Sequence, residues 1–457
     1  MQTALSPEVS LLYRRIDTIT QGMKPWIAKR LKKISEKQAL TIVEYVEAMQ
    51  SEFNPTLKTR INLTTECLNI SKFYPDRDFM ELSKQDVMFY LNSLRKTEEA
   101  DPLHKWIGTY NLRLAMLVKL FKWLYYKDRR PEDRPRPLPV ENIRRLKRKE
   151  ESIYTPADMW PAHWDVVFLK YCPRNDIRCF HSMARDTSAR PGELLKLTRE
   201  EVQLQISPNG SWYGQIVGSQ KTTQRPLPLI DSIPYIKIQL DEAARITGNN
   251  PKAPLFPVTK GPNRGKPMKE DLLYQTYQRL KEEKRYGKRQ LRHGGHFPKL
   301  LKDPTVPTED KAVIEEMLKR RWNPYVRRHT ALTEKAPILP GPLFNQHSGH
   351  SPNSKMPSRY THFFGAESAK FLLEKKGILP VNGKEQEILK PKSCPNCGQP
   401  NAQDAKFCSN NSCKMPLDME AHLLVMKEKE TNEQKMKDLI RQQLEELLLE
   451  KYGKKDG

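Results

Sequence analysis

Four prolines, Pro131, Pro135, Pro137 and Pro139, stand within nine residues in DRRPEDRPRPLP. Each fixes its own φ and removes a backbone donor, so neither a regular helix nor a central strand can run through this stretch. The chain must change structure there, and at 457 residues it is in any case too long for one ordinary core. Residues 128–154 therefore read as an interdomain linker, proline-rich at its start and basic at its end (NIRRLKRK). Such a basic linker could lie along phosphates; a plain solvated charge run is the other reading.

Upstream, residues 36–127 place apolar groups at three- and four-residue intervals in LTIVEYVEAM, INLTTECLNISKFY, SKQDVMFYLNSL and TYNLRLAMLVKLFKWLYY, the pattern of an all-helical domain. Ser83 followed by Asp86 reads as a helix N-cap, and Leu114, Leu117, Val118, Phe121 and Leu124 form one packing stripe. Residues 1–35 read as an N-terminal extension. Downstream, residues 155–380 mix periods and predict an α+β domain. Its helices fall around 157–200, 269–283 and 308–335, and a strand-turn-strand unit from Trp212 to Leu229 carries Lys221 in its polar turn. The Gly-, Pro- and Lys/Arg-rich segments 261–268 and 284–310 read as surface loops. In the C-terminal segment, 417–457, an amphipathic helix is expected with Met436, Ile440, Leu444, Leu447 and Leu448 on one side. That face needs a partner, either its own domain or a second helix in a short coiled coil.

Lys and Arg number 79 against 55 Asp and Glu, a formal charge of +24 that favours a polyanionic partner through counterion release. Charge sets the partner class and no chemistry. No stretch approaches about 18 consecutive apolar residues, and MQTALSPEVSLLYRR lacks the apolar core of a signal peptide, so a cytoplasmic chain with no membrane partner is expected.

Of seven cysteines, Cys67, Cys172 and Cys179 are scattered and four crowd together. Cys394 and Cys397 form a CxxC pair; Cys408 and Cys413 follow ten residues later in a wider Cx4C pair. This spacing suits metal ligation better than disulfides and reads as a zinc ribbon over 390–416. Four protein ligands leave no open position for water, which makes the Zn2+ structural and suggests that the ribbon contacts DNA or another subunit.

Breaking and rejoining a phosphodiester without an external energy source needs three things: a nucleophile that stores the bond energy, cations for the phosphorane charge and an acid for the leaving oxygen. No Gly-rich lysine loop for a nucleotide and no obvious carboxylate pair for two metals is present. The segment ARDTSARPGELLKLTREEVQL (184–204) sets Arg190 three residues before Glu193, ahead of what reads as a Leu-rich helix. Tyr325-Val326-Arg327-Arg328-His329 opens a second helix. SGHSPNSKMPSRYTHFFG (348–365) carries Gly349-His350 and then Tyr360. Alone, each piece has an ordinary reading as an ion pair, an exposed lysine or a packed tyrosine.

In this order and spacing the pieces resemble the active-site boxes of the tyrosine recombinases, over about residues 36–375. The resemblance implies a multidomain clamp: an all-α core-binding domain, an α+β tyrosine-recombinase catalytic domain, then the small zinc ribbon and C-terminal helix. It implies that Arg190 and Arg328 hold the phosphate and that His350 hydrogen-bonds it. Tyr360 would attack phosphorus to leave a 3′-phosphotyrosine, and Lys221 would protonate the departing 5′ oxygen, with no ATP or catalytic metal. The family usually has His where this chain has Tyr325; a phenol can hydrogen-bond phosphate but carries no imidazolium charge. Arg327 competes with Arg328 if the register slips by one. Double-stranded attachment sites, a homo-tetramer on DNA and integration of a mobile element are further implications, and a ribbon in this place resembles some archaeal integrases. A type IB topoisomerase and a non-catalytic DNA binder on the same fold are the rival readings.

Overall fold

The computed structural model describes residues 6–147, 158–218, 225–286, 291–339, 341–354 and 388–452. The chain divides into two compact units, Met1–Ile153 and Tyr154–Gly457.

The first unit is helical: α1 (Pro7–Ile19), α2 (Pro25–Leu31), α3 (Glu36–Phe53), α4 (Leu57–Phe73), α5 (Lys84–Asn92) and α6 (Trp106–Tyr125). Polar caps set the starts. Ser6, Ser35 and Thr56 accept from Val9, Gln38 and Thr59, and Ser83 with Asp86 forms a reciprocal capping box. Leu12, Ile16 and Ile19 of α1 and Ile27 and Leu31 of α2 share one core with Leu114, Leu117, Phe121 and Leu124 of α6. Helices α1 and α2, in the stretch expected to be an N-terminal extension, are therefore part of this core; both begin at prolines, which obscures their period.

Much of the expected linker is packed as well. Pro139, Val140 and Ile143 are buried, Arg134 reaches Glu52 at 2.9 Å, and the Asn111 side chain makes two 2.8 Å bonds to the backbone of Leu146. Proline forbids regular structure here, yet it does not forbid burial in short 3-10 turns.

The second unit holds a three-stranded antiparallel sheet in the order β1 (Val202–Ile206), β2 (Trp212–Gly218), β3 (Arg225–Leu229), with Ile216 opposite Leu227. Around it lie α7 (Ala162–Tyr171), α8 (Asn175–Thr187), the single turn α9 (Pro191–Leu194), α10 (Ile233–Thr247), α11 (Glu270–Lys281), α12 (His296–Leu300), α13 (Thr308–Lys319), α14 (Pro324–Lys335) and α15 (Gly341–Ser348). The Leu-rich helix expected after Glu193 ends after that one turn, and VQLQI continues as β1 because its period is two.

The segment 284–310 is not a plain loop. It contributes to a hairpin, β4 (Glu283–Tyr286) with β5 (Leu291–Gly294), and to α12, whose Phe297 is fully buried and stacks on Phe168 at 5.5 Å. A single aromatic anchor among many charges is easily lost in a composition reading.

The ribbon strands β6 (Lys392–Ser393) and β7 (Pro400–Asn401) dock on the same unit. Trp212 of β2 donates to the Gly398 carbonyl at 3.2 Å, and Lys237 of α10 lies 3.5 Å over the Trp212 ring while bonding Gln399 at 2.9 Å. The ribbon thus spends part of its surface on its own unit, where DNA or another subunit was expected. The C-terminal helix, Met419–Tyr452, is exposed from His422 to Leu448 apart from the half-buried Val425, and Ala421 near its start is buried. No helix among the described residues is long and apolar enough to cross a membrane.

Candidate active site

Helix α8 ends at Ser188, whose φ of 51° turns the chain sharply into Arg190. Pro191 opens α9 and Glu193 closes its first turn by accepting the Arg190 amide at 2.9 Å and the Arg190 guanidinium at 2.8 Å. Arg190 is thereby fixed at a helix start with one face of its fork engaged.

Arg225, the first residue of β3, reaches the same carboxylate at 3.1 Å. It lies on the buried face of the strand with Leu227 and Leu229. Glu193 is therefore shared between two arginines.

Helix α14 starts at Pro324, capped by Asn323, which accepts from Val326 at 2.9 Å. Adjacent residues on a helix diverge by about 100°, and here that separates two roles. Arg327 is buried against Asp165 at 2.8 Å, whereas Arg328 donates to the carbonyls of Ser188 and, at 2.6 Å, Ser348. Asp165 is a hub that also binds His181 at 2.8 Å and Arg185, so it ties α7 and α8 to α14. Burial acts to raise its pKa, but the charges of Arg327 and Arg185 and the bond from His181 outweigh that and hold it at about 2.

Gly349 has a φ of 65°, a conformation that favours glycine, and it turns the chain out of α15 toward His350. The carbonyls at this helix end receive both arginines: Arg328 on Ser348 and Arg190 on Gly349, the latter at 3.4 Å. His350 Nδ1 lies 2.8 Å from the Ser348 hydroxyl. Burial, then the charges of Arg328, Arg190 and Arg225, push its pKa down to about 4, so the ring is neutral at pH 7.

Arg225 is itself lowered to about 10, first by burial and then by Arg328 and Arg190, against the pull of Glu193. The arginines repel one another across a small space. An anion arriving there would relieve that repulsion, and a phosphodiester has the charge and the oxygen geometry for it.

Tyr325 is half-buried, lies near enough to Arg190 to act on its charge and has its ring 5.5 Å from that of His329. Burial opposes the charge on Arg190, but Glu193 and Tyr325 together raise its pKa. Of the residues singled out from sequence, the structure brings Arg190, Arg328, His350 and Tyr325 together. Lys221 and Tyr360 lie outside the described residues; Lys221 belongs to the segment between β2 and β3, immediately before Arg225.

Two residues escaped the sequence reading. Arg225 was legible in principle, because period two in RPLPL puts it on the face of Leu227 and Leu229. His347 carried no signal: its Nε2 is 3.2 Å from the Ser188 hydroxyl, and burial followed by Lys335, Arg225 and Arg328 takes its pKa to about 3.

In the ribbon, the Cys394 and Cys413 sulfurs are 3.7 Å apart and those of Cys397 and Cys408 3.5 Å, with all four within 4.8 Å of one another. Thiolates placed tetrahedrally at about 2.3 Å from zinc would be about 3.8 Å apart. The four residues fit a metal ion of that kind.

No family model matches the sequence, and no curated protein matches it. Solved structures to which the chain is similar include site-specific recombinases and integrases. One is the XerH site-specific recombinase bound to palindromic difH substrate, at 15% identity and a TM-score of 0.47 over 83% of this chain and 98% of that one. A lambda integrase dimer bound to a COC' core site is 14% identical with a TM-score of 0.41, over 70% and 94%. The Tn1549 transposon integrase with transposon right end DNA is 14% identical with a TM-score of 0.44, over 74% and 99%.

Proposed function

We propose that this chain is a tyrosine-type site-specific DNA recombinase. The observation that carries the reading is the convergence of Arg190, Arg225, Arg328 and His350, from four separate segments, on one small space in which Arg190 and Arg225 share the carboxylate of Glu193. Such a site suits one anion of high transient charge.

In this reading, Arg190 and Arg328 take the two non-bridging oxygens of the scissile phosphate in place of the carbonyls they now hold. Tyr360, its phenolic proton released to solvent as the nearby arginines favour the phenolate, attacks phosphorus, the bond to the 5′ oxygen breaks, and Lys221 gives that oxygen its proton. A 3′-phosphotyrosine and a free 5′-hydroxyl result, with the bond energy kept for rejoining. Arg225 and Glu193 hold Arg190 in line and, through β3, anchor the segment that bears Lys221. Tyr325 occupies the imidazole position beside Arg190, where its phenol hydrogen-bonds a phosphate oxygen. The four cysteines hold a structural zinc ion that folds the ribbon against Trp212. Double-stranded attachment sites are the substrate, four protomers act on two sites, and the cytoplasm is the working compartment.

The experiment is a comparison on plasmids: one carrying two copies of a site that the protein selects from random DNA, and one without the site. Exchange between the two copies supports a recombinase. Relaxation of both plasmids without exchange would indicate a type IB topoisomerase, and binding without either product a non-catalytic binder.

A further inference from the structure

The C-terminal helix has 34 residues, about 51 Å at 1.5 Å per residue, and from His422 to Leu448 every side chain is exposed except the half-buried Val425. Its exposed apolar groups include Leu423, Met426, Ile440, Leu444 and Leu447, each about half accessible. An isolated helix of this composition has no tertiary packing to hold it, and helices in proteins draw most of their stability from such packing.

A continuous four-three alternation runs through Met419, Leu423, Met426, Glu430, Glu433, Lys437, Ile440, Leu444 and Leu447. This is the seam of a two-stranded coiled coil, apolar at both ends and charged at its three central positions. The central charges choose the orientation. A parallel, in-register pair would set Glu430 on Glu430, Glu433 on Glu433 and Lys437 on Lys437, three layers of like charge.

We propose that the helix pairs antiparallel with the same helix of a second copy of this chain, in the register that faces Glu433 with Lys437 of the partner subunit. That register also seats Met426 on Leu444 of the partner subunit and Leu423 on Leu447 of the partner subunit, and by symmetry each contact occurs twice. Glu430 then lies beside Ile440 of the partner subunit, where its stem packs and its carboxylate reaches water. Sliding one heptad in one direction sets Glu430 against Glu433; in the other it places Glu433 on Leu444 and Lys437 on Ile440. Only the proposed register pairs opposite charges at the centre and apolar groups at the ends.

The pairing uses none of the arginine site, so it stands or falls apart from the cleavage chemistry. Its test is sedimentation of the full-length, metal-loaded protein without DNA at micromolar concentration, where a dimer is expected and a monomer would overturn the proposal. Ile440→Asp with Leu444→Asp should give a folded monomer, since neither side chain packs on its own chain. Glu433→Lys should weaken the dimer by about tenfold, and adding Lys437→Glu should restore it. For orientation, a Met426→Cys chain mixed with a Leu444→Cys chain should form a mixed disulfide under mild oxidation, beyond the background of the parent chain. A disulfide in the Leu444→Cys chain alone would mean parallel helices and refute the register.

Discussion

Replacing Asp165 with Asn removes one charge and almost no volume from the interior of the second unit. Asp165 is fully buried, binds Arg327 and His181 at 2.8 Å each and also holds Arg185. Its pKa of about 2 against the usual 3.8 corresponds to about 2 kcal/mol of preference for the charged form in the folded state. Asp165→Asn also leaves Arg327, 1% exposed, without its counter-charge, and breaking a buried pair from one side costs about 3–5 kcal/mol. A loss of about 3 kcal/mol is therefore expected, or a fall of about 1 M in the urea midpoint of the unit containing Trp160 and Trp322, followed by tryptophan fluorescence at pH 7. Because the folded pKa is depressed, this contribution is complete above pH 3.8 and disappears as pH falls through about 2, so the gap between wild type and variant should hold from pH 7 to 5. A midpoint shift below about 0.3 M would refute the view that this hub fixes α14 and, with it, the aim of Arg328.

Arg328→Lys keeps a charge but loses the planar fork, and should slow DNA cleavage by about a hundredfold while leaving the urea midpoint within reach of wild type; equal rates would refute its role. His350 is neutral above its pKa of about 4 because of burial and three nearby arginines, and a bound phosphate should raise that value. Binding then takes up a proton, so affinity for site DNA should rise from pH 7.5 to 5.5 more steeply in wild type than in His350→Gln; identical slopes would contradict this. Stripping metal from the cysteine ribbon with a chelator should change the emission of Trp212, which donates to Gly398, and the change should be absent in Trp212→Phe. An unaltered spectrum would mean that the ribbon keeps its docking without metal.

What the sequence made legible was local. Arg190 with Glu193, Arg328 with its helix start and Gly349 with His350 each sit in a short pattern, and the structure gathers them into one place. Residues whose significance comes from contacts distant in sequence were illegible. Arg327 looked like a rival to Arg328 until Asp165, 162 residues away, was seen to occupy it. His347 faces Ser188 across 159 residues, and nothing near it in the chain announces that. In the fold, α12 was missed because a five-residue helix shows too few periods and its place in the core rests on one anchor, Phe297, while α1 and α2 were missed although they bury Leu12, Ile16, Ile19, Ile27 and Leu31. The proline-rich stretch reads as an irregular linker, and the burial of Pro139, Val140 and Ile143 within it was not legible, since composition reports backbone options and not burial.

The most direct test is to identify the atom that becomes joined to DNA. A nicked duplex carrying the selected site, which loses its short 5′-hydroxyl fragment after cleavage, should trap a covalent adduct. Digestion with nuclease and protease should then yield one nucleotide-bearing peptide, with mass spectrometry placing the phosphodiester on Tyr360 and none formed by Tyr360→Phe. A linkage on Tyr325 or any other side chain, or cleavage with a free 3′-phosphate and no adduct in the wild type, would contradict the proposed chemistry.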